Sequence, residues 1–228
     1  DKFQTKPTPV TDDELYASSY DKMASLKERH ADAIKEKKFA KAIHALAPDS
    51  NGAKTPVLKT TGEIVGGGAS GRRRLQMSDI IALKDQFDKL KIPVQGRRLV
   101  LCSDHVNDLL ETDQKFKDHY NINQTEGKIC RLYGFDIYEY DGTPYYNATT
   151  KKKLAWGAAT ADTDMQASVA FYVGRMMKAN GSVQFYHSEA SKDPLYHRNL
   201  VNFRKWGICL PLSDKNCTAA VISAKSEA

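Results

Sequence analysis

Apolar and polar residues follow three different rhythms along this chain, and each rhythm predicts a different kind of element. Between Thr11 and Pro48 there is neither Gly nor Pro, and Leu15, Ser19, Met23, Leu26, His30, Ile34, Ile43 and Leu46 fall near one helical face. Lys22, Lys27, Lys35, Lys38 and Lys41 fall largely elsewhere, which suits a solvated face with intrahelical pairs such as Arg29 with Asp32 and Asp32 with Lys35. Thr11 or Asp12 can cap the start, and the acidic first turn complements the helix dipole. The spacing predicts one helix over residues 12–47, about 45–50 Å long at 1.5 Å per residue. A rod of that length has to lie across a sheet or span a contact between subunits.

The rhythm shortens after residue 75. Ser78 and Asp79 are positioned to cap a helix over 80–90 with Ile80, Leu83, Phe87 and Leu90 as its stripe, and Pro93 and Gly96 end it. Residues 99–102 form a short apolar run suited to a buried strand, 106–110 read as a short helix, and Gly134 sits between two alternating runs where a strand must bend. Residues 141–144 are a turn and 145–153, ending in Lys151, Lys152 and Lys153, read as a solvated loop tip. Further on, 167–173 suit a strand or the start of a buried helix, and 183–186 alternate as a strand. The last apolar runs, 202–211 and 219–223, read as a hairpin with its turn at 213–216. Before the first helix, residues 1–10 with Pro7 and Pro9 read as an extended arm, and 55–65 as an edge or hairpin strand.

Composition adds limits. A chain of 228 residues with 41% hydrophobic residues can bury a core. No run approaches the roughly 18 apolar residues of a spanning helix, and the first residues lack the apolar stretch of a signal peptide, so no membrane partner is expected. Of the four cysteines, Cys102 and Cys130 lie among apolar strand residues and read as inert buried thiols, whereas Cys209 and Cys217 add no zinc spacing. A net charge of +6 permits polyanion contact without requiring it, because both signs are interspersed.

The candidates for chemistry are sparse. Residues 66–74 combine glycines with Arg72, Arg73 and Arg74, but the loop lacks the Gly-Lys-Ser/Thr of a phosphate cradle and reads as a mobile connection. Ser103, Asp104 and His105 are sequence neighbours, which point in different directions, so they make a poor catalytic triad. His119, His187 and His197 have no partner at ligand spacing. No enzymatic activity, metal or cofactor is expected.

Pro93, Gly96 and Arg97 lead into the apolar strand 99–101, then Leu109 and Leu110, Gly127 and Ile129, and finally Gly134, Phe135, Ile137 and Tyr138. In that order and spacing the chain resembles the major capsid proteins of tailed bacteriophages, the Hong Kong-type fold shared with encapsulins. The resemblance covers residues 11–223. It implies an α+β fold with a long spine helix, a peripheral domain and a central (axial) mixed-sheet domain. Residues 12–47 would be the spine, 11–75 and 189–228 the peripheral domain, and 76–188 the axial domain. Residues 1–10 would be a remnant of the extended arm and loop with which such subunits begin, so the chain reads as starting within that arm. The implied function is a structural subunit that self-assembles into pentamers and hexamers enclosing viral DNA, located in the virion and assembled in the bacterial host cytoplasm. Its partners would be copies of itself, scaffold, portal and decoration proteins, and packaged DNA non-specifically. Candidate inter-subunit contacts are Arg72, Arg73, Arg74, Lys151, Lys152 and Lys153; fold-determining positions are Pro93, Gly96, Arg97, Gly127, Gly134 and Phe135. An encapsulin-like compartment subunit is the alternative within the same fold. A basic nucleic-acid-binding domain is the alternative outside it, favoured by the charge clusters but lacking any known reading module.

Overall fold

The computed structural model describes residues 1–66, 71–120, 128–212 and 218–225. Along the chain come β1 (Lys2–Gln4), β2 (Thr8–Thr11), α1 (Asp12–Ala17), α2 (Lys22–Leu46), β3 (Val57–Lys59), β4 (Ile64–Val65) and β5 (Arg72–Arg73). Next are α3 (Met77–Lys89), β6 (Arg97–Leu101), α4 (Ser103–Thr112), α5 (Gln114–Tyr120), β7 (Lys128–Leu132), β8 (Phe135–Glu139) and β9 (Tyr145–Asn147). The chain closes with β10 (Asp164–Tyr172), β11 (Met176–Ser188), β12 (Arg198–Pro211) and β13 (Thr218–Ile222). Packing groups residues 1–41 with 178–209 in one compact unit and 42–177 with 210–228 in another.

In the first unit, β12 pairs with β11, and β1 and β2 pair with successive stretches of β12. The arm of residues 1–10 is thus built into a sheet. The single helix expected over 12–47 is two. Thr11 and Glu14 close a capping box on α1, which ends at an extended Ser18, and the Asp21 carboxylate then accepts the Ala24 amide at 2.9 Å to start α2. Ser18, Ser19 and Asp21 each offer the backbone a hydrogen bond outside the helix, so the break falls where the local alternatives are strongest. Of the expected pairs, Asp32 with Lys35 forms at 3.0 Å.

The second unit is organised on a mixed sheet of order β3-β13-β10-β6-β8-β7, with β9 added to β10. The centre, β10, is buried from Ala167 through Phe171 and is antiparallel to both β6 and β13. β6 and β8 run parallel, with α4 in the crossover that such pairing needs. The terminal hairpin is a further correction, because β12 lies in the first unit's sheet and β13 runs antiparallel to β10 and parallel to β3. Every residue of β13 is buried, so the run Thr-Ala-Ala-Val-Ile needs neighbours on both edges and both faces, which one hairpin partner could not supply. Its expected turn at 213–216 lies outside the described residues, as do Cys217 and Gly127.

Three smaller corrections follow the same logic. α3 starts at Met77 with Gln76 as its cap, because the Asp79 carboxylate reaches back to the Gln76 amide at 3.0 Å instead of capping forward. Arg72 and Arg73 are a strand paired to β4 and not part of a loop. Residues 145–147 are a strand of the sheet, with Tyr146 fully buried.

Around the sheet, Ile80, Leu83 and Phe87 of α3 and Val106 and Leu109 of α4 join Leu99, Leu101, Phe135 and Ile137 in the core. α3 ends in a Schellman pattern: Lys91 takes the left-handed region at φ 52° and the Ile92 amide reaches the Phe87 carbonyl at 3.1 Å. Arg97, 1% exposed, then gathers the loop, its Nε donating to the Pro93 carbonyl at 3.0 Å and Nη2 donating to the Ile92 carbonyl and to Asp88 at 2.7 Å. Between β7 and β8, Tyr133 and Gly134 both have positive φ, 47° and 85°, the sign pattern of a type I′ hairpin turn.

A Cβ on Gly134 would lie 2.8 Å from Val94 Cγ1, on a backbone that L residues rarely adopt. Gly134→Val is therefore expected to cost about 3 kcal/mol in denaturant unfolding. Val94→Ala in the same chain should recover only the steric part of that loss.

Candidate assembly surface

Of the three neighbours weighed as a triad, His105 is turned inward, Ser103 is half-buried and Asp104 is exposed. His105 is fully buried, with Nδ1 2.6 Å from Ser168 Oγ and Nε2 2.9 Å from Ser223 Oγ. Ser168 also accepts the Cys102 amide at 3.1 Å. This ties the start of α4 to β10 and to the residue after β13. Ser103 and Asp104 play no part in it. The partners of His105 lie 63 and 118 residues away, which no sequence spacing could have announced. Burial pushes the His105 imidazole down to about 4 and the Cys102 thiol up to about 11. A neutral ring and a protonated thiol, both sealed from solvent, do structural work. The Cys130 thiol is likewise pushed up to about 11 by burial. Among the described residues no three His, Cys, Asp or Glu side chains gather as metal ligands.

The basic clusters are separated by the fold. Arg72 holds Asp108 with two hydrogen bonds, 2.6 and 2.9 Å, and Asp108 also accepts the Leu75 amide at 3.0 Å. Arg74 pairs with Glu111 at 2.6 Å. α4 thus presents Asp108 and Glu111, about one turn apart, to β5 and to the residue beyond it. The Arg73 guanidinium donates, among the described residues, to the Gly62 carbonyl at 3.3 Å. Lys153 buries its ammonium on the carbonyls of His44 and Ala47 at 2.9 and 2.7 Å and on Asp49 at 2.7 Å. Lys152 is exposed and Lys151 half-buried at φ 55°. Arg73, Lys151 and Lys152 make no ion pair among the described residues.

Sequence reading missed a long uncovered edge. β11 is an edge strand exposed at every position from Met177 to His187, on both faces. Between Lys178 and Glu189 it carries no formal charge and no proline, while Val183, Phe185 and Tyr186 stand 55%, 45% and 40% exposed. Trp206 and Ile208 of β12 are exposed as well, and so are Tyr16, Tyr20, Leu195 and Tyr196 of the same unit. Long, uncharged, apolar edges are templates for pairing with another chain, and patches of this kind mark interfaces. The only signal in the sequence was the lack of gatekeeping charges over 179–188.

No family model matches this sequence, and no curated protein matches it. The likeness is structural. The capsid of Ralstonia phage GP4 matches with a TM-score of 0.71 at 7% identity, over 100% of this chain and 74% of that one. The capsid of cyanophage P-SCSP1u matches at 0.66 and 14% identity, over 99% and 73% of the two chains. The SrpI encapsulin complex of Synechococcus elongatus PCC 7942 matches at 0.60 and 11% identity, over 99% and 74%. The chain has the phage capsid fold that encapsulins share.

Two outcomes follow from the buried polar groups. Asp108→Ala removes both short hydrogen bonds from the Arg72 guanidinium, leaving it the 3.8 Å ion pair with Asp104, and takes the carboxylate from the Leu75 amide. It is expected to cost about 3 kcal/mol in chemical unfolding. Below pH 6.5 the unfolded chain protonates the imidazole of residue 105 while the folded chain, with its value near 4, does not. This contribution is thus complete above about pH 6.5, declines by about 1.4 kcal/mol per pH unit toward pH 4 and is flat below. Between pH 7 and 5 the wild type should lose about 2 kcal/mol more than His105→Gln; equal losses would show that His105 is not buried neutral.

Proposed function

We propose that a chain with this fold serves as a structural subunit of an icosahedral phage capsid, self-assembling into pentamers and hexamers that enclose viral DNA in the virion. The observation that carries the reading is the agreement of nearly the whole chain with capsid subunits, joined to an uncovered apolar edge at β11. A subunit that forms a closed shell has to leave such surface for its neighbours, and rings follow when the contacts are heterologous and the rotation closes. The function is then geometric: many repeated contacts, each modest, add up only in the assembled shell.

In this reading residues 76–188 supply the axial domain, and 11–75 with 189–228 the peripheral one. Those are positions in a shell, whereas the two compact units are limits of packing inside one chain. Arg73, Lys151 and Lys152 are the basic residues best placed to meet acidic groups of a neighbour or packaged DNA. Arg72, Arg74 and Lys153 are engaged within the chain, which also weakens the reading as a nucleic-acid-binding domain built on those clusters. Scaffold, portal and decoration proteins are further partners that a phage shell would bring. The encapsulin match supports a second reading, a protein compartment without a genome, built from the same contacts.

Electron microscopy and light scattering of the purified protein should show rings or shells whose formation steepens with concentration. A stable monomer at every concentration sinks both shell readings. Nuclease-resistant DNA inside shells made in cells selects the phage reading, and its absence selects the compartment. Val183→Lys with Phe185→Lys, placing charge on the β11 edge, should leave the fold intact and reduce assembly at least tenfold.

A further inference from the structure

The end of α2, the turn 141–145 and the segment 154–160 enclose a cavity of about 210 Å³ in the second unit. It is built, not incidental. The His44 ring Nε2 donates to the Leu154 carbonyl at 2.9 Å and packs edge-on against Trp156 at 5.3 Å, so the helix end holds one wall. The Leu154 amide reaches the Tyr145 carbonyl at 2.9 Å, and the Ala167 amide the Pro144 carbonyl at 2.9 Å, so the sheet holds the other.

The lining has a chemical bias. It contains aromatic side chains, Tyr145 and Trp156, both partly open to solvent, and no lysine or arginine. Its one formal charge is Asp141, which makes no ion pair among the described residues. Thr143, 4% exposed, lies in the wall with its hydroxyl oxygen buried and without a hydrogen-bond partner. A buried hydroxyl left unpaired is uncommon and costs about 1–3 kcal/mol, so a wall that keeps one is set up for something that completes it.

We infer that this cavity is a binding site for a single alkylammonium or guanidinium group. An aromatic face attracts a cation, an unpaired carboxylate at the same place adds a charge-assisted hydrogen bond, and a hydroxyl can accept one more. The volume lies below the roughly 300–1,000 Å³ of sites for drug-sized molecules and suits one four-carbon cationic chain. Such a group can come from a free amine or from a lysine or arginine of another molecule of this protein. The chemistry of the site is the same for both.

Trp156 is a built-in reporter, and Trp206→Phe makes it the chain's single tryptophan. Titrating that protein with n-butylammonium and with agmatine should give a saturable fluorescence change, whereas n-butanol, of equal length and without charge, should give none. Asp141→Asn, at an exposed position, should weaken butylammonium at least tenfold with unchanged circular dichroism. Thr143→Val, read by calorimetry, should weaken it severalfold, and it serves in place of Asp141→Asn if that variant does not fold. No saturable response, an equal response to butanol, or indifference to both substitutions overturns the site. A Trp156 signal that also changes with protein concentration, and that added amine reverses, assigns the cation to another molecule of this protein. A signal independent of concentration assigns it to a free amine.

Discussion

The second unit depends on how Arg97 is buried. A guanidinium taken out of water costs several kcal/mol unless its donors are met, and here the chain meets them with its own turn. α3 closes in a Schellman pattern, and the carbonyls of Ile92 and Pro93 then point at Nη2 and Nε, with Asp88 taking a second bond from Nη2. Nη1 has no hydrogen-bond partner among the described residues, but the guanidinium lies 5.7 and 5.9 Å from the ring centres of Phe87 and Phe135, which recovers part of the deficit. Those two rings meet edge to face at 5.1 Å, so one charged side chain registers α3, β6 and the start of β8 together.

Pro93, Gly96 and Arg97 thereby acquire separate physical roles. Pro93 leads into the turn 94–96 that precedes β6, and its carbonyl is a ligand of the guanidinium. Gly96 holds φ at 87°, where a Cβ would come within 3.3 Å of the Tyr172 ring. A residue with a side chain would strain the backbone and push on β10 at once. The short pattern is a helix-to-strand device and carries no reaction chemistry. Two further polar networks, His105 with its serines and Asp108 with Arg72, repeat the principle: charge and imidazole are spent on joining elements within the chain, and the apolar surface is left outward on β11.

Much of the framework was legible in the sequence for local reasons. The stripe of Ile80, Leu83 and Phe87, the strand at 99–101, the helix at 106–110 and the bend at Gly134 each rest on residues a few positions apart, where side-chain period and backbone preference act directly. The fold class rested on the resemblance that Pro93 to Tyr138 carry. What the sequence did not disclose depends on long-range partners. One helix became two at 18–21, where Ser18 turns extended and the Asp21 carboxylate caps the start of α2. The last two strands parted because β13, buried along its whole length, needed two sheet neighbours and found them in β10 and β3.

The same line separates the surfaces. Composition and spacing determined that the chain can bury a core, mixes charges of both signs along its surface and has no contiguous catalytic motif, because those properties are additive along the chain. Only the tertiary structure decided which charges are consumed inside. Arg72, Arg74 and Lys153 look like free cations in one dimension and have carboxylates or carbonyls waiting in three, whereas β11, an unremarkable alternating run, became the exposed edge because nothing else in its sheet lies beyond it. Burial is a property of neighbours, and neighbours are chosen by the fold.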